Sequence, residues 1–300
     1  MHHGSQIGEI IPTGRRPLVA PAERAGATSR VEGDKGDLMQ LETVGYAVDE
    51  GVCRITLRRP DRGNAMNPRL TKELFETVVS CDIDPSVRAV LIDAEGPMFC
   101  AGGDLGAFAH ADVDLPRLLK RMTVDLHAAI SRIARMEVPV IAAVQGAAAG
   151  GGFSLAAACD IVLAGHSAKF PLAYTRAGLA PDGSSTYFLP RLVGRRRALE
   201  LMLLNPTLSA TDALDAGLIT QVVDDAALSD QACALARSLA QGPTGAFGAV
   251  KRLILASANE TLESQMELEA SAIIAAATRD EGREGISAFL EKRRPNFTGC

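Results

Sequence analysis

From Val138 to Asp160 the chain reads VPVIAAVQGAAAGGGFSLAAACD, with no charged side chain between Glu137 and Asp160. By length alone such a run could cross a membrane. Pro139, Gln145, four glycines and an excess of alanine over leucine break it instead into a short apolar strand, a glycine turn and a small-residue helix, all buried in protein. Ala89–Gly96, AVLIDAEG, predicts a second buried strand, and IVLAG from Ile161 a third. Glu42–Pro60 predicts two strands around the turn Asp49, Glu50, Gly51. Helical spacing of Leu70, Leu74 and Val78 predicts a helix over Pro68–Ser80. Leu118, Leu119, Met122, Leu126, Ile130 and Ile133 predict a long one over Leu115–Met136. His127 falls in that helix and is given no chemical role.

Strands alternating with helices put the chain in the α/β class. The predicted organisation is a mobile tail over residues 1–37, which lack apolar periodicity, an α/β core over 38–205, and a helical C-terminal region over 206–300. The basic run Arg191, Arg195, Arg196, Arg197 predicts a solvated or intersubunit helix face.

With 300 residues and 47% hydrophobic composition, a sizeable core can be buried. A formal net charge of −5 offers no basic footprint, which argues against nucleic acid as a partner. The six cysteines show no metal-ligand spacing, and His2 and His3 stand in the tail, so no metal site is predicted. Free thiols in apolar runs fit a reducing cytoplasm, and the start has no continuous apolar segment of the secretory kind.

The candidate chemistry lies at two glycine corners. Gly150, Gly151 and Gly152 open a helix, where backbone N–H groups and the helix dipole favour negative charge. In PMFCAGGDL, Pro97–Leu105, a strand leads through Ala101, Gly102 and Gly103 to the helix cap Asp104. Each corner follows a strand and precedes a helix, so the two could converge on one oxygen.

FCAGGD and AAAGGGFSLAAACD, in this order, resemble the paired oxyanion-hole motifs of the crotonase superfamily, the enoyl-CoA hydratase and isomerase family, and the resemblance runs from about Leu41 to Gly299. It implies a crotonase-like spiral of strand-strand-helix units with a C-terminal helical extension, and an acyl-CoA thioester as substrate. The N–H groups of Gly103 and Gly151 would hold the thioester oxygen as it becomes an enolate, beside Ala101. The loop DRGNAMNPRL, Asp61–Leu70, resembles the segment lining the CoA channel, with Arg62 a candidate for phosphate and Ala65 for backbone contact. Phe289 and Lys292 match positions that reach the CoA of a neighbouring subunit, and a homotrimer or dimer of trimers is implied in the same way.

The family's hydratases use two glutamates to orient water and deliver its proton. Here Ser154 and Tyr174 stand at the matching positions, which makes hydration doubtful and suggests that Tyr174 shapes an apolar pocket. Asp182, in GLAPDGSSTYFLP, remains. It reads either as the N-cap of a helix starting near Gly183, or, by resemblance to enoyl-CoA delta isomerases and phenylacetate-pathway ring-opening isomerases, as a catalytic acid/base. One carboxylate suffices to move a double bond from the 3,4 to the 2,3 position. Neither metal nor redox cofactor enters that reaction, since coenzyme A is part of the substrate. Three alternatives remain in view. A ring-opening isomerase of an epoxide or aromatic acyl-CoA would use the same groups, and a non-catalytic acyl-CoA binder would be indifferent to Asp182→Asn. A serine hydrolase is disfavoured because Gly152-Phe153-Ser154-Leu155-Ala156 lacks the final glycine, and because His166, the last histidine, follows Ser154 too closely.

Overall fold

The computed structural model describes residues 41–299, so the predicted tail 1–37 lies outside the described residues. Eight strands form, β1 (Val44–Asp49), β2 (Val52–Leu57), β3 (Ala89–Ala94), β4 (Val140–Val144), β5 (Ile161–Gly165), β6 (Lys169–Pro171), β7 (Thr207–Ser209) and β8 (Gln221–Val223). The main sheet has the order β1-β2-β3-β4-β5-β8. Its first pair is an antiparallel hairpin closed by Glu50 and Gly51, both with positive φ, as a two-residue turn of this hand requires. The remaining pairs are parallel. Parallel neighbours need crossovers, which the helices Pro68–Ile83, Leu115–Arg135 and Gly151–Ala157 supply.

The central strands are almost wholly apolar because both faces of the sheet are covered, and the exception, Asp93 in β3, is paired with Arg54 of β2. On one face Ile55, Ile92, Ala142 and Val162 meet Leu74, Val78, Ile130 and Ile133 of the two long crossover helices. On the other face Leu91, Ile141 and Leu163 pack on Leu228, Ala232 and Ala236 of the helix Leu228–Ala240. Full burial of a side chain such as Ile141 contributes roughly 1.5–3 kcal/mol.

Beyond the ends of these strands lies a second line of pairings. Met66 bridges Gly103, Cys100 bridges Ala148 and Ala147 bridges Lys169, all parallel, and β6 pairs antiparallel with β7. Each unit of the fold therefore repeats strand, short cross-strand and helix, which is the spiral that the motifs imply. This repeat is carried by backbone pairing, and for that reason leaves no periodic letters.

The sheet takes its last strand, β8, and the helix covering its second face from beyond residue 205. The helices Thr244–Ser257, Leu262–Thr278 and Asp280–Leu290 follow, and the middle one buries none of its residues. They are tied to the core by Lys251, whose Nζ lies 2.6 Å from the Asp160 carboxylate and donates to the carbonyls of Ile133 and Val138 at 3.0 Å. Among the described residues no helix is long and apolar enough to cross a membrane.

Candidate active site

Pairing between the cross-strands brings the two glycine corners together. Cys100 donates its N–H to Ala147 at 3.0 Å, and Ala149 donates back to Cys100 at 2.8 Å. At this closeness side chains are excluded. A Cβ on Gly102, whose φ is +91°, would stand 2.8 Å from the Ala149 oxygen and 3.2 Å from the Gly151 nitrogen. One on Gly152 would stand 2.4 Å from the Cys100 oxygen. Gly150 takes φ 48°, ψ −118°, a conformation left to glycine. The N–H groups of Gly103 and Gly151 donate to no acceptor among the described residues, and both glycines line one cavity of about 360 Å³.

Met66, Phe108, Leu119, Met122 and Leu126 give that cavity apolar walls, and Tyr174 and Asp182, with Thr71 and Thr123, its polar side chains. Phe108 rides on the helix Leu105–Ala111, whose cap is the predicted Asp104, accepting from the Ala107 N–H at 3.0 Å. Burial works against the Asp104 charge, but the Ala107 N–H and the Arg59 guanidinium 3.0 Å away outweigh it and hold its pKa below the ordinary carboxylate value.

Asp182 does not cap a helix. The helix begins at Ser185, with Ser184 at φ 66° in the cap position and no side-chain cap bond. Only the backbone carbonyl of Asp182 is engaged there, accepting from the Ser185 N–H at 3.2 Å. This leaves the carboxylate, one-third exposed, to face the cavity. Tyr174 donates to its Oδ1 at 2.8 Å, and His127 Nε2 stands 3.7 Å from its Oδ2. Ser154 Oγ lies 2.9 Å from the Tyr174 hydroxyl and donates to the Asp182 carbonyl at 3.0 Å. Burial, reinforced by the neighbouring carboxylate charge, pushes the Tyr174 pKa well above that of a free phenol, so the hydroxyl keeps its proton. Tyr174 is thus a hydrogen-bond donor to Asp182 as well as a cavity wall. The partners of Ser154 are a phenol and carbonyls rather than a histidine, which removes the hydrolase alternative.

The remaining predicted residues are spread more widely. Ala101 lines the cavity and donates to the Gly63 carbonyl at 2.9 Å. Ala65 is buried, and its carbonyl already accepts from Arg59. The loop around it is pinned by Asn64, fully buried, whose Nδ2 donates to the carbonyls of Glu95 and Met98 at 2.9 and 2.8 Å. Arg62 is exposed and has no ion-pair partner among the described residues. Phe289, 83% exposed, and Lys292 do not line the cavity. Among the described residues no group of three or more His, Cys, Asp or Glu side chains converges as a metal ion would require.

His127 is the residue that sequence reasoning left out. Its helix is amphipathic and places it at the rim, but nothing in its own neighbourhood of the chain points to Asp182, 55 residues later.

The family model described as enoyl-CoA hydratase/isomerase matches residues 47–300. The chain belongs to the enoyl-CoA hydratase/isomerase family. This enoyl-CoA hydratase/isomerase family member is 42% identical over 261 residues to the 1,2-epoxyphenylacetyl-CoA isomerase of Escherichia coli K12, covering 86% of this chain and 99% of the relative. It is 30% identical over 262 residues to the trans-2-decenoyl-[acyl-carrier-protein] isomerase of Streptococcus mutans, covering 87% and 100%. Among solved structures, an enoyl-CoA hydratase from Polaromonas sp. JS666 superposes with a TM-score of 0.81 at 34% identity, covering 84% of this chain and 98% of that one.

Proposed function

We propose that this family member is an acyl-CoA isomerase that shifts a 3,4 double bond to the 2,3 position. Asp182 removes a proton from C2 of a 3-enoyl-CoA. The electron pair moves into the thioester, whose oxygen takes up the charge between the N–H groups of Gly103 and Gly151. Asp182 then returns a proton to C4, and the double bond settles in conjugation with the carbonyl. Each backbone donor aimed at the developing charge contributes on the order of 3 kcal/mol.

The observation that carries this reading is the cavity that Asp182, whose carboxylate accepts from Tyr174, lines together with Gly103 and Gly151, whose N–H groups donate to no acceptor among the described residues. Among the described residues lining the cavity, hydration finds no second carboxylate beside Asp182. Tyr174, at one hydratase position, donates to the Asp182 carboxylate, and Ser154, at the other, places its Oγ within 3.0 Å of both the Tyr174 phenol and the Asp182 carbonyl.

A second reading is favoured by the 42% identical relative, whose name specifies an epoxide of phenylacetyl-CoA. The apolar wall of Phe108, Leu119, Met122 and Leu126 would accept a ring as well as an alkyl chain. Measuring kcat/KM for a 3-enoyl-CoA and for 1,2-epoxyphenylacetyl-CoA decides between them. A ratio above 100 in favour of the straight chain supports the double-bond shift, and the inverse ratio overturns it.

The assembly proposed is a trimer or a dimer of trimers. Val250, Ile254, Ile273, Ile274 and Phe289 are all exposed on the C-terminal helices, and apolar side chains in such number are what a neighbouring copy would cover. Arg62, Ala65, Phe289 and Lys292 keep their proposed roles toward CoA, the last two from a neighbouring copy.

A further inference from the structure

On the isomerase reading, Asp182 holds a proton between its two transfers, and the structure offers that proton a second resting place. The Gly183 N–H lies 3.2 Å from His127 Nε2 and donates to it when that nitrogen carries no proton. The same nitrogen stands 3.7 Å from Asp182 Oδ2, about 0.5 Å beyond hydrogen-bond reach. Asp182 Oδ1 is already held by Tyr174, which leaves Oδ2 as the oxygen to receive the substrate proton. His127 is half exposed, so its ring borders both the carboxylate and solvent.

We propose that His127 is a positioning residue that relays the C2 proton from Asp182 to solvent before C4 is protonated. The C2–H bond breaks and the proton goes to Oδ2. The O–H proton then passes to His127 Nε2, which gives up the Gly183 N–H, and the resulting imidazolium pairs with the carboxylate. The imidazolium exchanges its protons with water and returns one to Asp182, which delivers it to C4. No electrons leave the substrate and no co-reactant is consumed.

The relay predicts where hydrogen ends up. A 3-enoyl-CoA is converted in heavy water and the product's C4 label is counted by mass spectrometry. The protein should place solvent deuterium at C4 in most turnovers. His127→Gln, whose amide oxygen can still accept from Gly183 but cannot take up a proton, should cut that incorporation at least fivefold while acyl-CoA still binds. Equal incorporation in His127→Gln overturns the relay and leaves the isomerase intact. A parent protein that carries a C2 deuterium unexchanged to C4 in ordinary water overturns it without reference to any variant. Absence of conversion by the parent overturns the relay together with the isomerase reading beneath it.

Discussion

The phenol of Tyr174 donates to Oδ1 of Asp182 at 2.8 Å, and Ser154 Oγ lies 2.9 Å from the phenol and 3.0 Å from the Asp182 carbonyl, to which it donates its one proton. The lone carboxylate of the cavity is thereby held in one rotamer. Tyr174→Phe keeps the wall and removes the donor. A hydrogen bond to a charged group contributes about 1.5–3 kcal/mol. If half of that is expressed in aiming the base, kcat falls about 4- to 12-fold with KM within twofold of the parent. Steady-state kinetics check this, and an unchanged kcat contradicts the positioning role.

Gly102 is predicted to tolerate no side chain. Alanine would have to hold φ near +91° with its Cβ 2.8 Å from the Ala149 oxygen, and strain of this kind costs of order 1–3 kcal/mol. The relief available is a parting of the two corners, so Gly102→Ala should lower isomerisation more than 100-fold while lowering Tm by only a few degrees. A loss of stability without loss of activity contradicts this.

Lys251 and Asp160 test how the C-terminal helices are attached. Lys251 is 9% exposed, and its removal leaves the Asp160 carboxylate with the Val140 N–H, 2.8 Å away, as its remaining partner. Breaking a buried pair costs about 3–5 kcal/mol, less here because Asp160 is partly open, so Lys251→Met should cost about 2–3 kcal/mol in urea unfolding. Adding Asp160→Asn should recover part of that loss. A single-variant cost below 0.5 kcal/mol contradicts the attachment.

The turn after the last helix should respond to acid. Hydrogen bonds from Arg293 and from the Asn296 N–H hold the Glu284 pKa at about 2, against an ordinary 4.5. A carboxylate with a lowered folded pKa stabilises the turn above its unfolded value and loses that contribution as the pH falls from about 4.5 toward 2. The Asn296 amide resonance should shift toward the lower end of this window, with its midpoint near pH 2, and Glu284→Gln should remove the pH dependence. A parent resonance that stays put through the window contradicts the assignment.

The strands, the long helices and both glycine corners were legible because each is written within a few consecutive residues. Leu115–Met136 was predicted and Leu115–Arg135 is found, and the Asp104 cap lies where its motif puts it. Strand β8 was missed because three residues carry no readable alternation. The Asp182 cap reading failed because Ser184 takes a left-handed conformation and starts the helix later, a backbone choice that the letters DGSS do not reveal. Tyr174 could be read only as a substitute for a glutamate, and His127 only as a lone helical histidine. Their convergence on Asp182 is made by the fold, from elements that share no local pattern.

The central claim is that Asp182 moves the proton. The direct measurement is conversion of a 3-enoyl-CoA to the conjugated 2-enoyl thioester, followed by absorbance, for the parent and for Asp182→Asn, beside acyl-CoA binding by both. The account predicts conversion by the parent, a loss of at least 1,000-fold in the variant (about 4 kcal/mol) and equal binding. Conversion that survives in Asp182→Asn with binding intact would contradict it.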